Sequence, residues 1–445
     1  MKLLTSTIFS AIQPFLSLLL PRSFPLLLVL LAFASTLFPL ASAQLDKYAK
    51  LAGLSYFGTA VDNPRLYNEQ YMSVLQGSGE FGSLTPINAQ KWKKTEEVQG
   101  VFTFAEADAI ANTAKAGVGG MKTLRCHTMV WYKGLPSWVE TTYSRDDMEK
   151  ILAAHIQNLA QYFKGRCYAW DVVNEAIDEN GVFRQSPMYK AMGLDFITFS
   201  FKTAAKADPG AKLYYNDYAL ESPSLSTGPK ISITLAMLRT VKAQGGTVHG
   251  VGFQSHLKVG LVPARAEIVN TMQQFLEVVD EVAITELDIR HSPLKVPSTR
   301  EMWNAQARDY GEVVGACLDV NKGYGGRKCV GVTLWDFTDK YSWVPSEIPT
   351  EGEACMWDNN YVKKPAYWTV LNMFKAYAAG ASSRRAGMDG VDGGNGTVSE
   401  LDLEAAAHRG PEGGPGLGRE QTTKTVVATT LATARRVRST ARTGA

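Results

Sequence analysis

Two glutamates, Glu175 and Glu286, each close an apolar run. Trp170-Asp171-Val172-Val173-Asn174 leads into the first and Val282-Ala283-Ile284-Thr285 into the second. Two carboxylates facing each other across a gap suit cleavage of a glycosidic bond. One protonates the leaving oxygen, and the other attacks the anomeric carbon or activates water. The two settings differ. Glu286 has Asp288 beside it, and His256 is the candidate to donate to Glu286 while Asp288 steadies the ring, which would keep the carboxylate ionised as a nucleophile requires. Glu175 has Asn174 and aromatic company such as Trp131, a setting expected to hold a proton as an acid requires. Asn174 could also donate to a sugar 2-hydroxyl, a contact that tightens in an oxocarbenium-like transition state. Trp131, Trp335 and Trp343 offer flat apolar faces on which pyranose C–H groups stack, and Asn88, Lys91, His127 and Gln254 could hydrogen-bond hydroxyls.

Other chemistries fit less well. The chain has six histidines, and none falls in a His-x-Glu-x-x-His-like spacing, so no metal or other cofactor is expected. His155 lies inside a helical stretch and reads as structural, while His249 and His291 read as loop residues. Cys126 stands beside His127, but no third partner marks it as a thiol nucleophile.

These residues need a frame that brings distant segments together. Eight β-rich runs provide one: Tyr56–Val61, Phe81–Ile87, Lys122–Thr128, Cys167–Asn174, Lys212–Asn216, Gly250–Ser255, Glu281–Leu287 and Cys329–Trp335. Amphipathic stretches such as Ala105–Ala116, Met148–Phe163 and Phe196–Ala207 separate them. That alternation predicts parallel strands joined by crossover helices, and eight units predict an α/β fold of the (β/α)8 barrel type. A doubly wound open sheet would place a Gly-rich phosphate loop after the first strand, and Phe57-Gly58-Thr59-Ala60-Val61 supplies none. Active sites of such barrels lie at the C-terminal ends of the strands, where all of the candidates above fall. Strands four and seven stand on opposite sides, so Glu175 and Glu286 should face across the opening.

The ends of the chain read differently. Residues 1–43 carry only Lys2 and Arg22 as charges, an apolar run Phe24–Leu40 and Ala41-Ser42-Ala43 before Gln44, the pattern of a cleaved secretory signal. Residues 381–445 lack aromatic residues and cysteine, and are expected to be a disordered tail beyond a single catalytic domain over 45–380. The formal charge of +3 comes from these ends, so nothing points to a nucleic-acid partner. A secreted chain can hold disulfides. Cys317 and Cys329 flank a polar, Gly-rich segment and suit a bridge closing a short loop, whereas Cys126, Cys167 and Cys355 have no partner that the sequence assigns.

Taken together the segments resemble glycoside hydrolase family 10, the fungal endo-1,4-β-xylanases. The resemblance rests on Leu124-Arg125-Cys126-His127-Thr128-Met129-Val130-Trp131, Trp170-Asp171-Val172-Val173-Asn174-Glu175-Ala176, Tyr215-Asn216-Asp217-Tyr218, Gly252-Phe253-Gln254-Ser255-His256-Leu257, Ile284-Thr285-Glu286-Leu287-Asp288-Ile289 and Asp339-Lys340-Tyr341-Ser342-Trp343, in family order across roughly 45–380. It implies a TIM barrel and a retaining mechanism. Glu175 takes the acid/base position and Glu286 the nucleophile position, with His256 and Asp288 as the nucleophile's support. It further implies sugar contacts at Asn88, Lys91, His127, Trp131, Asn174, Gln254, Trp335 and Trp343, and a Cys317–Cys329 disulfide. The expectation is a secreted, extracellular, monomeric endo-xylanase. Its partner would be xylan or a related plant cell-wall polysaccharide, with no membrane association once the signal is removed. Two positions depart from the family pattern: Ile87 stands where a carboxylate is usual, and Asp336 where glycine is usual. They bear on sugar preference, and leave open a relative turned toward a plant saponin. A barrel that binds polysaccharide without turnover would instead lack one of the rim glutamates, and both are present.

Overall fold

The computed structural model describes residues 44–389 apart from 78, 118, 119 and 142. The segment expected to be a signal, 1–43, lies outside the described residues, as does most of the expected tail. The boundary drawn at 381 falls inside the last helix, which runs Pro365–Asp389. Its first half buries Tyr367, Val370, Leu371 and Phe374 and packs against the first helix, Leu45–Leu51, and the long helix Arg300–Tyr324. The absence of aromatic residues beyond 380 gave no signal that the backbone helix continues.

Nine strands form one sheet: β1 Tyr56–Val61, β2 Ser83–Pro86, β3 Thr123–Trp131, β4 Ala169–Asn174, β5 Lys212–Asp217, β6 Gly250–Phe253, β7 His256–Lys258, β8 Glu281–Arg290 and β9 Cys329–Leu334. Neighbours pair in parallel from β1 through β6, β6 pairs with β8, and β9 closes the ring between β8 and β1. The barrel therefore has eight staves, one for each apolar run in the sequence. β7 continues the sixth stave after a break at Gln254-Ser255 and pairs with the outer half of β8. The strands are buried along almost their whole length because helices cover the outer face and side chains fill the interior.

Helices between the staves follow the amphipathic pattern. Ala105–Lys115, Arg145–Tyr162 and Asp195–Ala207 turn Ile110, Leu152, Ile156, Ile197 and Phe201 onto the sheet. Ser144 starts the second of these by accepting the amide of Asp147 at 3.2 Å, satisfying one otherwise unpaired helix donor. His155 is buried on that helix. It is stacked on Trp92 at 4.0 Å and hydrogen-bonded to Glu96 and the Met129 carbonyl.

Two disulfides are present. Cys317–Cys329 ties the long helix Arg300–Tyr324 to the start of β9, and Cys126–Cys167 ties β3 to the start of β4. The second joins two of the three cysteines that sequence left unassigned, and removes Cys126 as a thiol nucleophile. Cys355 is buried and free.

Candidate active site

The C-terminal ends of the strands open onto a cleft of about 720 Å³. Asn88, Lys91, His127, Trp131, Asn174, Glu175, Gln254, His256, Glu286, Trp335 and Trp343 all line it, so every sequence-derived candidate but Asp288 reaches the cavity wall. Asp288 stands one layer behind, fully buried.

Backbone geometry aims these side chains. Glu175, Ser255 and Asp336 follow the ends of β4, β6 and β9 with φ of 54°, 61° and 72°. Non-glycine residues avoid this left-handed region, at a cost of about 1–3 kcal/mol each, and such strain gathers where a side chain must point in one direction. Backbone bonds tie the strand ends together: Glu175 N–H donates to the Asn216 carbonyl at 2.9 Å, and Glu286 N–H to the Gln254 carbonyl at 3.0 Å.

Glu286 is almost completely buried. Asn216 Nδ2 donates to its Oε1 at 2.7 Å, and His256 Nε2 meets its Oε2 at 3.0 Å. His256 Nδ1 meets Asp288 Oδ2 at 2.9 Å, and Trp343 Nε1 donates to that same oxygen at 2.6 Å. Burial alone would lower the His256 imidazole, but Asp288 and Glu286 outweigh it and push it up to about 10. His256 is thus an imidazolium that donates from both nitrogens. Burial would likewise raise Glu286, but the His256 hydrogen bond and the charges of His127 and His256 hold it below the ordinary glutamate value. Glu286 therefore stays ionised as pH falls through the usual carboxylate range. Replacing His256 with asparagine removes the imidazolium, so the acidic limb of kcat/KM is expected to move to higher pH. An unmoved limb would show that His256 does not govern this ionisation.

Glu175 sits differently. Asn174 Nδ2 and Gln254 Nε2 donate to its Oε1 at 3.1 and 3.0 Å. Among the described residues both side-chain donors reach the same oxygen, leaving Oε2 to the cleft. Asn174 Oδ1 in turn accepts from Asn216 at 2.8 Å and from Gln254 at 3.3 Å. Its amide spends one N–H on Glu175 and keeps a second for a ligand.

His127 is buried, with Nδ1 3.0 Å from Asp171 Oδ2 and 3.9 Å from Glu286 Oε1. Lys91 donates to Asn88 Oδ1 at 2.8 Å and lies 4.8 Å from the centre of the Trp131 ring. Burial lowers its ammonium although Glu286, Asp62 and Glu175 pull the other way. Trp335 meets the His127 and His256 rings edge-on and packs with Ile87, while Trp343 meets His256 edge-on.

Several contributors carry no role in the sequence reading. Asn216 is the hub. Its Nδ2 reaches both Glu286 and Asn174, and its Oδ1 accepts from Thr285 at 2.6 Å. Gly252 leaves room for it, since a Cβ there would lie 2.0 Å from Asn216 Oδ1. Arg125 is fully buried and hydrogen-bonds Asp171, which holds His127. Burial would raise Asp171, but Arg125 and His127 keep it low. A signal for this pair existed: charged residues at Arg125 and Asp171 sit within otherwise apolar strands, which is costly unless they pair. Arg65 enters the cleft from the short 3-10 helix Asn63–Tyr67 and pairs with Asp336.

The arrangement resembles known proteins. The model of glycosyl hydrolase family 10 matches residues 44–373. Endo-1,4-beta-xylanase 5 of Pyricularia oryzae is 45% identical over 366 residues, covering 82% of this chain and 85% of that protein. Endo-1,4-beta-xylanase D of Talaromyces funiculosus is 44% identical, covering 77% of this chain and 80% of its own. Among solved structures, endo-1,4-beta-xylanase XylE of Penicillium canescens superposes with a TM-score of 0.69 at 35% identity, covering 75% of this chain and 98% of that one.

Proposed function

The chain belongs to glycosyl hydrolase family 10, and from that premise we propose that it is an endo-1,4-β-xylanase that cleaves internal bonds of xylan with retention of configuration. The observation that carries the reading is the pair of carboxylates at the tips of β4 and β8, bridged by Asn216 and Gln254 from the two staves between them. The two carboxylates share one cleft, and one of them is held ionised by an imidazolium. Glu286 attacks the anomeric carbon and forms an ester as the glycosidic C–O bond breaks. Glu175 gives its proton to the departing oxygen. Glu175, now a carboxylate, then takes a proton from water, whose oxygen displaces Glu286 from the same carbon. The second amide hydrogen of Asn174 meets the sugar 2-hydroxyl, and Trp131, Trp335 and Trp343 wall the ring. His127, Gln254, Lys91 and the second N–H of Asn88 hydrogen-bond sugar oxygens. No cofactor enters these steps. The protein would act outside the cell as a monomer, on xylan or a related cell-wall polysaccharide.

The test is linear β-1,4-xylan followed by product analysis and proton NMR. A mixture of oligosaccharides whose first-formed reducing ends are β is expected. First-formed α ends would overturn the retaining chemistry, and no release from xylan would overturn the substrate.

A further inference from the structure

The loop after Glu175 carries Glu179, which is hydrogen-bonded to Tyr218, and both line the cleft on the side toward which the leaving part of the chain departs. The other end of the cleft, which receives the part retained on Glu286, is formed by Arg65, Ile87, Asn88, Lys91 and Asp336. Its acceptors already serve protein donors. Asp336 is 2% exposed and accepts from Arg65 and from the Phe337 amide. The Asn88 carbonyl accepts from Lys91, and Asp62, behind Asn88, accepts its amide hydrogen at 2.9 Å. Each of these oxygens takes one protein donor and can accept a second.

Donors remain. A guanidinium has five N–H groups, and Arg65 uses Nη1 on Asp336 and Nη2 on the Tyr341 carbonyl at 3.1 Å, while its side chain keeps 13% of its surface exposed. Lys91 has three and uses one on Asn88. Ile87, packed on Trp335, supplies an apolar part of the wall.

We propose that this end of the cleft receives a carboxylate-bearing branch, a uronic acid attached to the xylan chain, with Arg65 as its specificity-determining contact. Neutral hydroxyls can use both the donors and the remaining acceptors here, but they carry no charge to match the guanidinium. A carboxylate only accepts, and its two oxygens match the guanidinium fork. Asp336 fixes the fork in place from the far side of the β1–β9 seam. The proposal rests on the xylanase reading and adds to it the charge of the preferred substrate.

The test compares kcat/KM for a linear xylo-oligosaccharide with that for the same oligosaccharide bearing one uronic acid. The wild-type protein is expected to prefer the acidic one, and to lose preference as salt rises from 0.1 to 1 M, where the screening length falls from about 10 to about 3 Å. The branch should appear in the product that gains the new reducing end. The double variant Arg65→Gln/Asp336→Asn leaves no unpaired buried charge and should lower the acidic-to-neutral ratio about tenfold, the scale of one charge-assisted hydrogen bond. Arg65→Lys should retain part of it. A ratio indifferent to salt and to the double variant would overturn the proposal. So would a branch found only on the product that keeps the old reducing end. If neither oligosaccharide is cut, the xylanase reading falls and this proposal with it.

Discussion

Glu286→Gln should lower kcat on xylan by on the order of 10⁴-fold or more, a loss of about 5.5 kcal/mol of transition-state stabilisation. The amide keeps the shape of the side chain and can still accept the 2.7 Å bond from Asn216. It cannot form the ester that splits the reaction into two displacements. Binding contacts elsewhere in the cleft are untouched, so KM should change far less than kcat. A fold check is needed, because His256 and Asp288 lose a charged neighbour. The wild-type protein offers a second measurement that avoids this concern. A 2-fluoro β-xyloside with a good leaving group should leave a covalent adduct, and peptide mass mapping should place it on Glu286. A variant that keeps its rate, or an adduct on another residue, would remove Glu286 from the nucleophile's role.

Glu175→Ala should lower kcat/KM on xylan by about 10²–10⁴-fold, the usual contribution of a positioned proton donor. The distinguishing feature is dependence on the leaving group. Xylan departs as an alkoxide unless it is protonated, so it should suffer the full loss. An activated aryl β-xylobioside needs little protonation, so its first step should survive and the glycosyl–enzyme should accumulate as an early burst. Added azide, which needs no general base, should speed turnover and give a β-glycosyl azide. Equal losses on both substrates without azide rescue would mean that Glu175 shapes the site rather than handling the proton. Gln254 and Asn174 donate to one oxygen of this carboxylate, so their removal would disturb its position too. The alanine variant isolates proton transfer only when read against leaving-group ability.

Much of the barrel is written locally. Each stave is an apolar run long enough to be buried on both faces, and the helices between carry their own stripe, as Ile110 and Ile156 do. The residues at strand ends were legible for the same reason: a polar side chain after a buried run has little to do except meet solvent or ligand. Thus Glu175, Gln254 and Glu286 stood out. Boundaries blurred where hydrogen bonding rather than pattern decides them. β3 continues to Trp131 and β8 to Arg290, past the ends expected from the sequence, because each has a pairing neighbour there.

The amino-acid sequence by itself determined that the chain builds eight parallel staves and which side chains crown them. Both are properties of short windows, in which burial imposes its period on residue type. Only the tertiary structure decided who meets whom. Asn216 linking Asn174 to Glu286, Asp171 shared between Arg125 and His127, Arg65 paired with Asp336, and Cys126 bonded to Cys167 all join segments far apart along the chain. Those pairings depend on barrel closure and on the register shifts in β3–β4 and β4–β5. A shift of one residue turns a side chain from the cleft to the opposite face, and no local pattern records which shift the closed sheet adopts.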